Sequence, residues 1–182
     1  MLGSTDDRRS LLGRRALHRP VAGLSLVIDR QARPLEREAA IRPAIDADAG
    51  PIATLYLAAF RATYPFPLAH TDDEVRAWVR GTLLPSTETW VAELAGEVVG
   101  FMSLGVDSVD QLYVAPGWTG RGIGSRLLAL ARERRPDGLQ LWTFQANAGA
   151  RRFYERHGFV AVETTDGAGN EERQPDVRYA WR

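Results

Sequence analysis

The chain has 182 residues, with 23 basic and 23 acidic side chains and no cysteine. That length suits one domain, the balanced charge gives no case for a nucleic-acid or membrane partner, and the missing cysteine excludes disulfides, thiolate nucleophiles and cysteine zinc sites. No run approaches the roughly 18 apolar residues a membrane span needs, and three scattered histidines give no basis for a metal centre, so the expected setting is the cytoplasm.

Residues 1–38 differ from the rest. "DDRRSLLGRRALHRP" is arginine-rich and leads into a brief apolar "VAGLSLVI", which is short for a signal peptide and lacks a small-residue exit. A flexible or loosely docked extension is expected there, ahead of one domain over 39–182. Every basic residue is arginine, so no lysine is available as a phosphate-loop cation or a Schiff base.

From Ile41 the pattern is regular. "IRPA" reads as a short strand, and "DADAGPIATLYLAAFRATY" as a helix with Asp46 or Asp48 as cap and Ile52, Leu55, Ala59 and Phe60 on one face. In "HTDDEVRAWVRGTL", Thr71 and Glu74 form a capping box before a second helix whose Val75, Trp78 and Val79 share a face. "TWVAEL" and "VVGFMSL" flank "AGE" as a hairpin, and "VDQLYV" is the next strand. A glycine turn and the helix "GIGSRLLALARER" follow, then the strand "LQLWTF" and the helix "NAGARRFYERHG", with Asn147 as N-cap and Gly158 past its end. "FVAVETT" and "DVRYAWR" close the chain around the polar loop "DGAGNEERQP". This order predicts a single α/β (α+β) domain, a mixed sheet with helices packed on it.

The turn between "VDQLYV" and its helix carries the chemistry. Gly120, Gly122 and Gly124 leave several backbone N–H groups unscreened at a helix N-terminus, which favours an anion, with Arg121 and Arg126 able to add cationic contacts. A phosphate loop needs a lysine, and the spacing is wrong for the dinucleotide fingerprint. A ligand-free tight turn is the remaining alternative on these residues alone.

Two stretches together resemble the GNAT N-acetyltransferase superfamily, which binds acetyl-CoA: "LYVAP" running into Thr119-Gly120-Arg121-Gly122-Ile123-Gly124, and "NAGARRFYERHGF". The resemblance implies a GNAT-like, mostly antiparallel central sheet flanked by helices on both faces. It implies that the backbone of Leu112, Tyr113 and Val114 pairs with the pantetheine arm of acetyl-CoA, that Gly120, Arg121, Gly122, Ile123, Gly124 and Ser125 cradle the pyrophosphate, and that Asn147 bonds the pantetheine besides capping its helix. Thr119 stands where the family usually has Gln or Arg, which removes one anion contact.

Such a site would acetylate a primary amine directly, since no cysteine can carry the acetyl group. By family position Tyr154 is the expected general acid. The base is open: some relatives place a glutamate where this chain has Trp142, and the alternatives are Asp110, which by alternation shares a face with Leu112 and Val114, or Asp107. The oxyanion donor would be a backbone N–H near Leu112 or Val114. Around the expected acceptor pocket lie Arg61, for a substrate carboxylate, Tyr64, and Glu171 or Glu172, for an ammonium group. His70, Trp78 and Trp90 read as structural. The expected acceptor is a small-molecule amine or a protein N-terminus, small molecules being favoured, with a homodimer as one open arrangement. A catalytically silent CoA-binding module is the alternative from another class.

Overall fold

The computed structural model describes residues 38–182, so the expected extension lies, but for Glu38, outside the described residues. The elements run β1 (Ala40–Pro43), α1 (Ala49–Thr63), α2 (Asp72–Trp78), α3 (Leu84–Ser86), β2 (Glu88–Leu94), β3 (Glu97–Leu104), β4 (Val109–Val114), α4 (Ile123–Arg134), β5 (Leu139–Phe144), α5 (Ala148–Arg156), β6 (Val160–Thr165) and β7 (Asp176–Trp181). A π turn at Val79–Leu83 joins α2 to the one-turn α3. Among the described residues no helix is long and apolar enough to cross a membrane.

The strands form a four-stranded antiparallel sheet in the order β1-β2-β3-β4 and a three-stranded one in the order β5-β7-β6. β4 and β5 run parallel and meet at a bridge between Ser108 and Gln140, where the Gln140 N–H donates to the Asp107 carbonyl at 2.9 Å. The expected central sheet is therefore divided by a seam. The β2–β3 turn has positive φ at both Ala95 (52°) and Gly96 (85°), the geometry that suits the twist of a two-residue hairpin.

Helices cover both faces. α1 buries Ile52, Leu55, Ala59 and Phe60, the stripe expected from helical spacing, and part of it packs with Val91, Phe101 and Tyr113 on one face of the first sheet. α4 buries Ile123, Leu127, Leu128 and Ala131 against Met102, Leu112 and Val114 on the other. The Thr71–Glu74 capping box is present, with the Glu74 N–H on the Thr71 hydroxyl and the Thr71 N–H on the Glu74 carboxylate. Asp48, by contrast, makes no side-chain cap: its carboxylate takes the Ile45 N–H and the Arg42 guanidinium. At the far end of α4, Arg134 and Arg135 both reach Glu88, and Arg135 also donates to the Gly105 carbonyl, tying the helix to β2 and to the β3–β4 turn.

The β6–β7 loop is closed from within. Asn170 donates to the Gln174 carbonyl at 2.7 Å and to the buried Asp176 carboxylate at 3.0 Å. Gly167 makes that closure possible, with φ +86° and only 2.3 Å between a hypothetical Cβ and the Gln174 backbone. Gly167→Ala should cost about 2 kcal/mol or more, because both the left-handed backbone and the close approach oppose a side chain. Thermal unfolding should then show a midpoint lower by about 4–8 °C.

Candidate active site

The seam leaves one edge of β4 open. In an antiparallel strand successive residues turn their N–H and C=O alternately to the two sides. The Ala115 N–H donates to the Val99 carbonyl at 2.9 Å, so Ala115 and Tyr113 face β3 and the amides of Val114 and Leu112 face the seam. Their side chains are anchored in the core, at 2 % and 0 % exposure, which fixes the edge in place. Leu112 and Val114 are two of the three residues expected to receive the pantetheine arm and are the expected oxyanion donors; Tyr113, the third, spends its amide on β3 and does not face the seam.

At the end of β4 the chain turns through Gly120 (φ 77°) and Gly122 (φ 79°), conformations that cost an L side chain about 1–2 kcal/mol. A Cβ on either would meet no protein atom within 4 Å, so the space beside them is not filled by the protein. Gly122 is the N-cap of α4 and makes no side-chain cap bond, so the first-turn amides of Ile123, Gly124 and Ser125 are offered outward. A cleft of about 290 Å³ runs here from Val114 past Trp118 and Thr119 along the glycines to Ser125, with Phe153, Arg156 and His157 as its opposite wall. Arg121 is stacked over Trp118 at 4.6 Å. Arg126 is engaged elsewhere, donating to the Ala39 carbonyl at 2.7 Å and pairing with Glu38, so the phosphate contact expected of it is not supported.

His157 and Arg156 were not singled out in the sequence, although both lie inside the second motif. The His157 Nδ1 must donate to the Phe153 carbonyl (2.7 Å), because a carbonyl only accepts; in the neutral ring Nε2 then accepts from the Ser125 hydroxyl at 3.0 Å. That bond ties the start of α4 to the end of α5 across the cleft.

Tyr154 of α5 is buried in the core cluster that holds Leu112 and Val114 of β4 and Leu141 of β5. It is 0 % exposed and its hydroxyl has no hydrogen-bond partner among the described residues. Burial pushes its phenol well above its ordinary value, with a smaller contribution from Tyr64. A hydroxyl buried without a partner costs about 1–3 kcal/mol, so its retention in a packed core fits a partner supplied by a ligand. Asn147 caps α5 through Ala150 N (2.9 Å) and donates to the Tyr64 hydroxyl (3.0 Å), so it braces α1 against α5. The orphaned phenol, the open β4 edge and the unfilled glycine cradle together fit an extended ligand with a diphosphate at one end and a reactive group at the other.

Above the seam, on the α1 side, stand Tyr56, Tyr64 and Tyr113, with Tyr56 and Tyr113 edge to face at 4.9 Å. Burial raises the phenols of all three, with a smaller contribution from the charge of the partly buried Glu172, and burial raises the Glu172 carboxyl itself above the ordinary range. Glu171 instead takes His70 Nε2 at 2.7 Å, clasping the β6–β7 loop to the segment between α1 and α2. Arg61 is exposed and paired with Asp72, away from this group, which does not support the substrate-carboxylate role expected of it. A β-bulge alters the expectation for Asp110: the register steps from Ser103–Gln111 to Leu104–Val109, so Asp110 is the extra residue and Val109 joins the core face of Leu112 and Val114. Its carboxylate accepts from the Ser108 hydroxyl at 2.5 Å, beside Gly105 in the β3–β4 turn. Asp107 accepts from the Gln140 amide at 2.9 Å at the closed end of the seam.

Gly122→Ala places a methyl group in the cradle and in a left-handed backbone. Calorimetric titration with coenzyme A should show affinity reduced at least tenfold, with the thermal midpoint lowered by no more than a few degrees. Unchanged affinity would remove the cradle from the site.

Comparison with known proteins agrees with this geometry. The family model described as an acetyltransferase (GNAT) domain matches residues 85–161, which span the β2–β3 hairpin, the glycine turn and α5. The chain is 32 % identical over 124 residues to the peptidyl-lysine N-acetyltransferase YiaC of Escherichia coli, covering 68 % of this chain and 84 % of that one. Its fold is similar to that of YjaB from Escherichia coli, with a TM-score of 0.66, 26 % identity and coverage of 78 % of this chain and 96 % of the other. It is also similar to YncA of Salmonella typhimurium, solved with its cofactor acetyl-CoA, with a TM-score of 0.63, 22 % identity and coverage of 80 % and 94 %. The chain belongs to the GNAT family of N-acetyltransferases, whose acyl donor is acetyl-CoA.

Proposed function

We propose that this protein transfers the acetyl group of acetyl-CoA directly to a primary amine of a small molecule, or to an amine presented by a protein. The observation that carries this reading is the Tyr154 hydroxyl, unpartnered among the described residues and buried in the core cluster that also holds Leu112 and Val114 of β4. Acetyl-CoA supplies the activated acyl group. The glycine turn and the first amides of α4 hold its diphosphate, aided by Arg121 and Arg156, while Leu112 and Val114 hold its arm along β4. Their N–H groups also stabilise the charge that develops on the acyl oxygen.

Two proton movements complete the reaction. The amine must lose a proton to become a nucleophile, and the departing sulfur must gain one. Tyr154 gives the second. Its raised pKa means that the neutral, donating form persists to higher pH than in a free phenol. Glu172 suits the first better than Asp110. Its charge reaches Tyr56, Tyr64 and Tyr113, whereas the carboxylate of Asp110 is turned to Ser108 in the β3–β4 turn. With respect to the acceptor, the likeness to YiaC adds a lysine side chain to the small amines, since that relative acts on peptidyl-lysine.

Tyr154→Phe should keep the affinity for coenzyme A within about twofold and lower kcat by about a hundredfold, the usual worth of a positioned proton donor. The readout is release of free thiol from acetyl-CoA in the presence of a panel of amines. In the unmodified protein kcat should hold, rather than fall, as pH passes about 10, the ordinary phenol value. Binding of coenzyme A with no thiol release on any amine would instead identify a silent CoA-binding module.

A further inference from the structure

We propose that His157 positions the diphosphate of acetyl-CoA through a proton switch: as the ligand binds, the ring takes up a proton at Nε2 and the Ser125 hydroxyl turns from the ring to a diphosphate oxygen. This rests on the glycine cradle as the seat of the acetyl donor and adds a pH-dependent residue to it.

His157 closes α5 and faces the start of α4. Its Nδ1 lies 2.7 Å from the Phe153 carbonyl and its Nε2 3.0 Å from the Ser125 hydroxyl. The Phe153 ring, 4.3 Å away between centroids, holds the imidazole from the side. A carbonyl oxygen only accepts, so Nδ1 carries a proton in both charge states, and a second proton can enter only at Nε2. In the neutral ring the Ser125 O–H is spent on Nε2, which leaves the serine only lone pairs for any other partner. Those repel an anion. With Nε2 protonated the bond reverses: the ring donates to Oγ, and the serine proton is released to a ligand oxygen.

Both residues line the cleft of about 290 Å³ beside Gly120 and Gly122, and no carboxylate is among its lining residues. The charged groups on the elements packed around His157 are cationic or engaged elsewhere. On α4, Arg126 pairs with Glu38, Arg132 stacks on Phe159 and Trp181, and Glu133 and Arg134 lie at the far end of the helix. In the glycine turn Arg121 stacks on Trp118. On α5, Glu155 and Arg151 meet at the Tyr179 hydroxyl, which leaves Arg152 and Arg156. Negative charge on the cleft side of the ring therefore comes from the ligand. The last carbonyls of α5 favour positive charge at His157, and the first amides of α4 favour negative charge beside Ser125. An imidazolium and a diphosphate on the two sides of one hydroxyl complete that pairing. The proton comes from solvent; one N–H bond forms and no other covalent bond changes.

The test counts protons. Coenzyme A is titrated calorimetrically into the full chain in buffers of different ionisation enthalpy, and Kd is followed from about pH 6 to about pH 8, where imidazoles change charge. Binding that takes up a proton tightens as pH falls, so Kd should rise with pH. The unmodified protein should take up at least about 0.3 proton per coenzyme A more than His157→Gln, whose amide can donate to Ser125 at any pH. The 3′-phosphate of the ligand titrates in the same range but contributes to both proteins and cancels in the difference. Ser125→Ala gives a second reading should the first variant fold poorly. It should weaken binding about tenfold at about pH 6 and less than about twofold at about pH 8, because the bond it removes forms only with the protonated ring. Equal proton uptake in the unmodified protein and His157→Gln would overturn the proposal. So would an equal change of affinity at both pH values in Ser125→Ala, the mark of a purely structural latch. No binding of coenzyme A at all would sink the cradle itself, which is a separable result.

Discussion

The site exists because β4 and β5 part. They meet at Ser108 and Gln140 and then diverge, so that the Leu112 and Val114 amides lie on an edge with no neighbouring strand among the described residues. A strand edge is a strong template for any chain that can offer alternating donors and acceptors. Everything else keeps that edge open and rigid. Leu112 and Val114 are pinned in the α4 core, Tyr113 in the α1 core, and Asn147 braces α1 to α5 across the gap.

The cost of this arrangement is visible in what is left unsatisfied. An orphaned phenol at Tyr154, an orphaned amide oxygen at Gln111 and a partly buried carboxylate at Glu172 each oppose folding. Burying such groups runs to about 1–3 kcal/mol apiece, a large share of a domain's net stability of about 5–15 kcal/mol. Ser103, Thr143 and Arg132 carry further buried polar atoms without partners among the described residues, and a ligand that satisfied the Tyr154 phenol would return its share of that free energy on binding.

Much of this was legible in the residues. "VDQLYV" and "LQLWTF" are strands over the residues expected, because alternation and the flanking glycines and prolines leave few other options. The glycine turn was legible because only glycine adopts the φ values seen at Gly120 and Gly122 without strain. What escaped was set by distant partners. A single extra residue at Asp110 shifts a strand's faces, and nothing in the local pattern marks the bulge. Arg61 and Arg126 read as ligand contacts until Asp72, Ala39 and Glu38 claim them. The bond between His157 and Ser125 joins residues 32 apart, and the environment of Glu172 depends on the fold of α1, both beyond the reach of sequence spacing.

The open edge can be tested directly by amide hydrogen exchange with and without acetyl-CoA. The structure predicts that the Leu112 and Val114 amides slow on binding, together with those of the first turn of α4, while the Tyr113 amide, already bonded to β3, changes little. Protection confined to the glycine turn, or equal slowing at Tyr113, would contradict the seam as the seat of the acetyl donor.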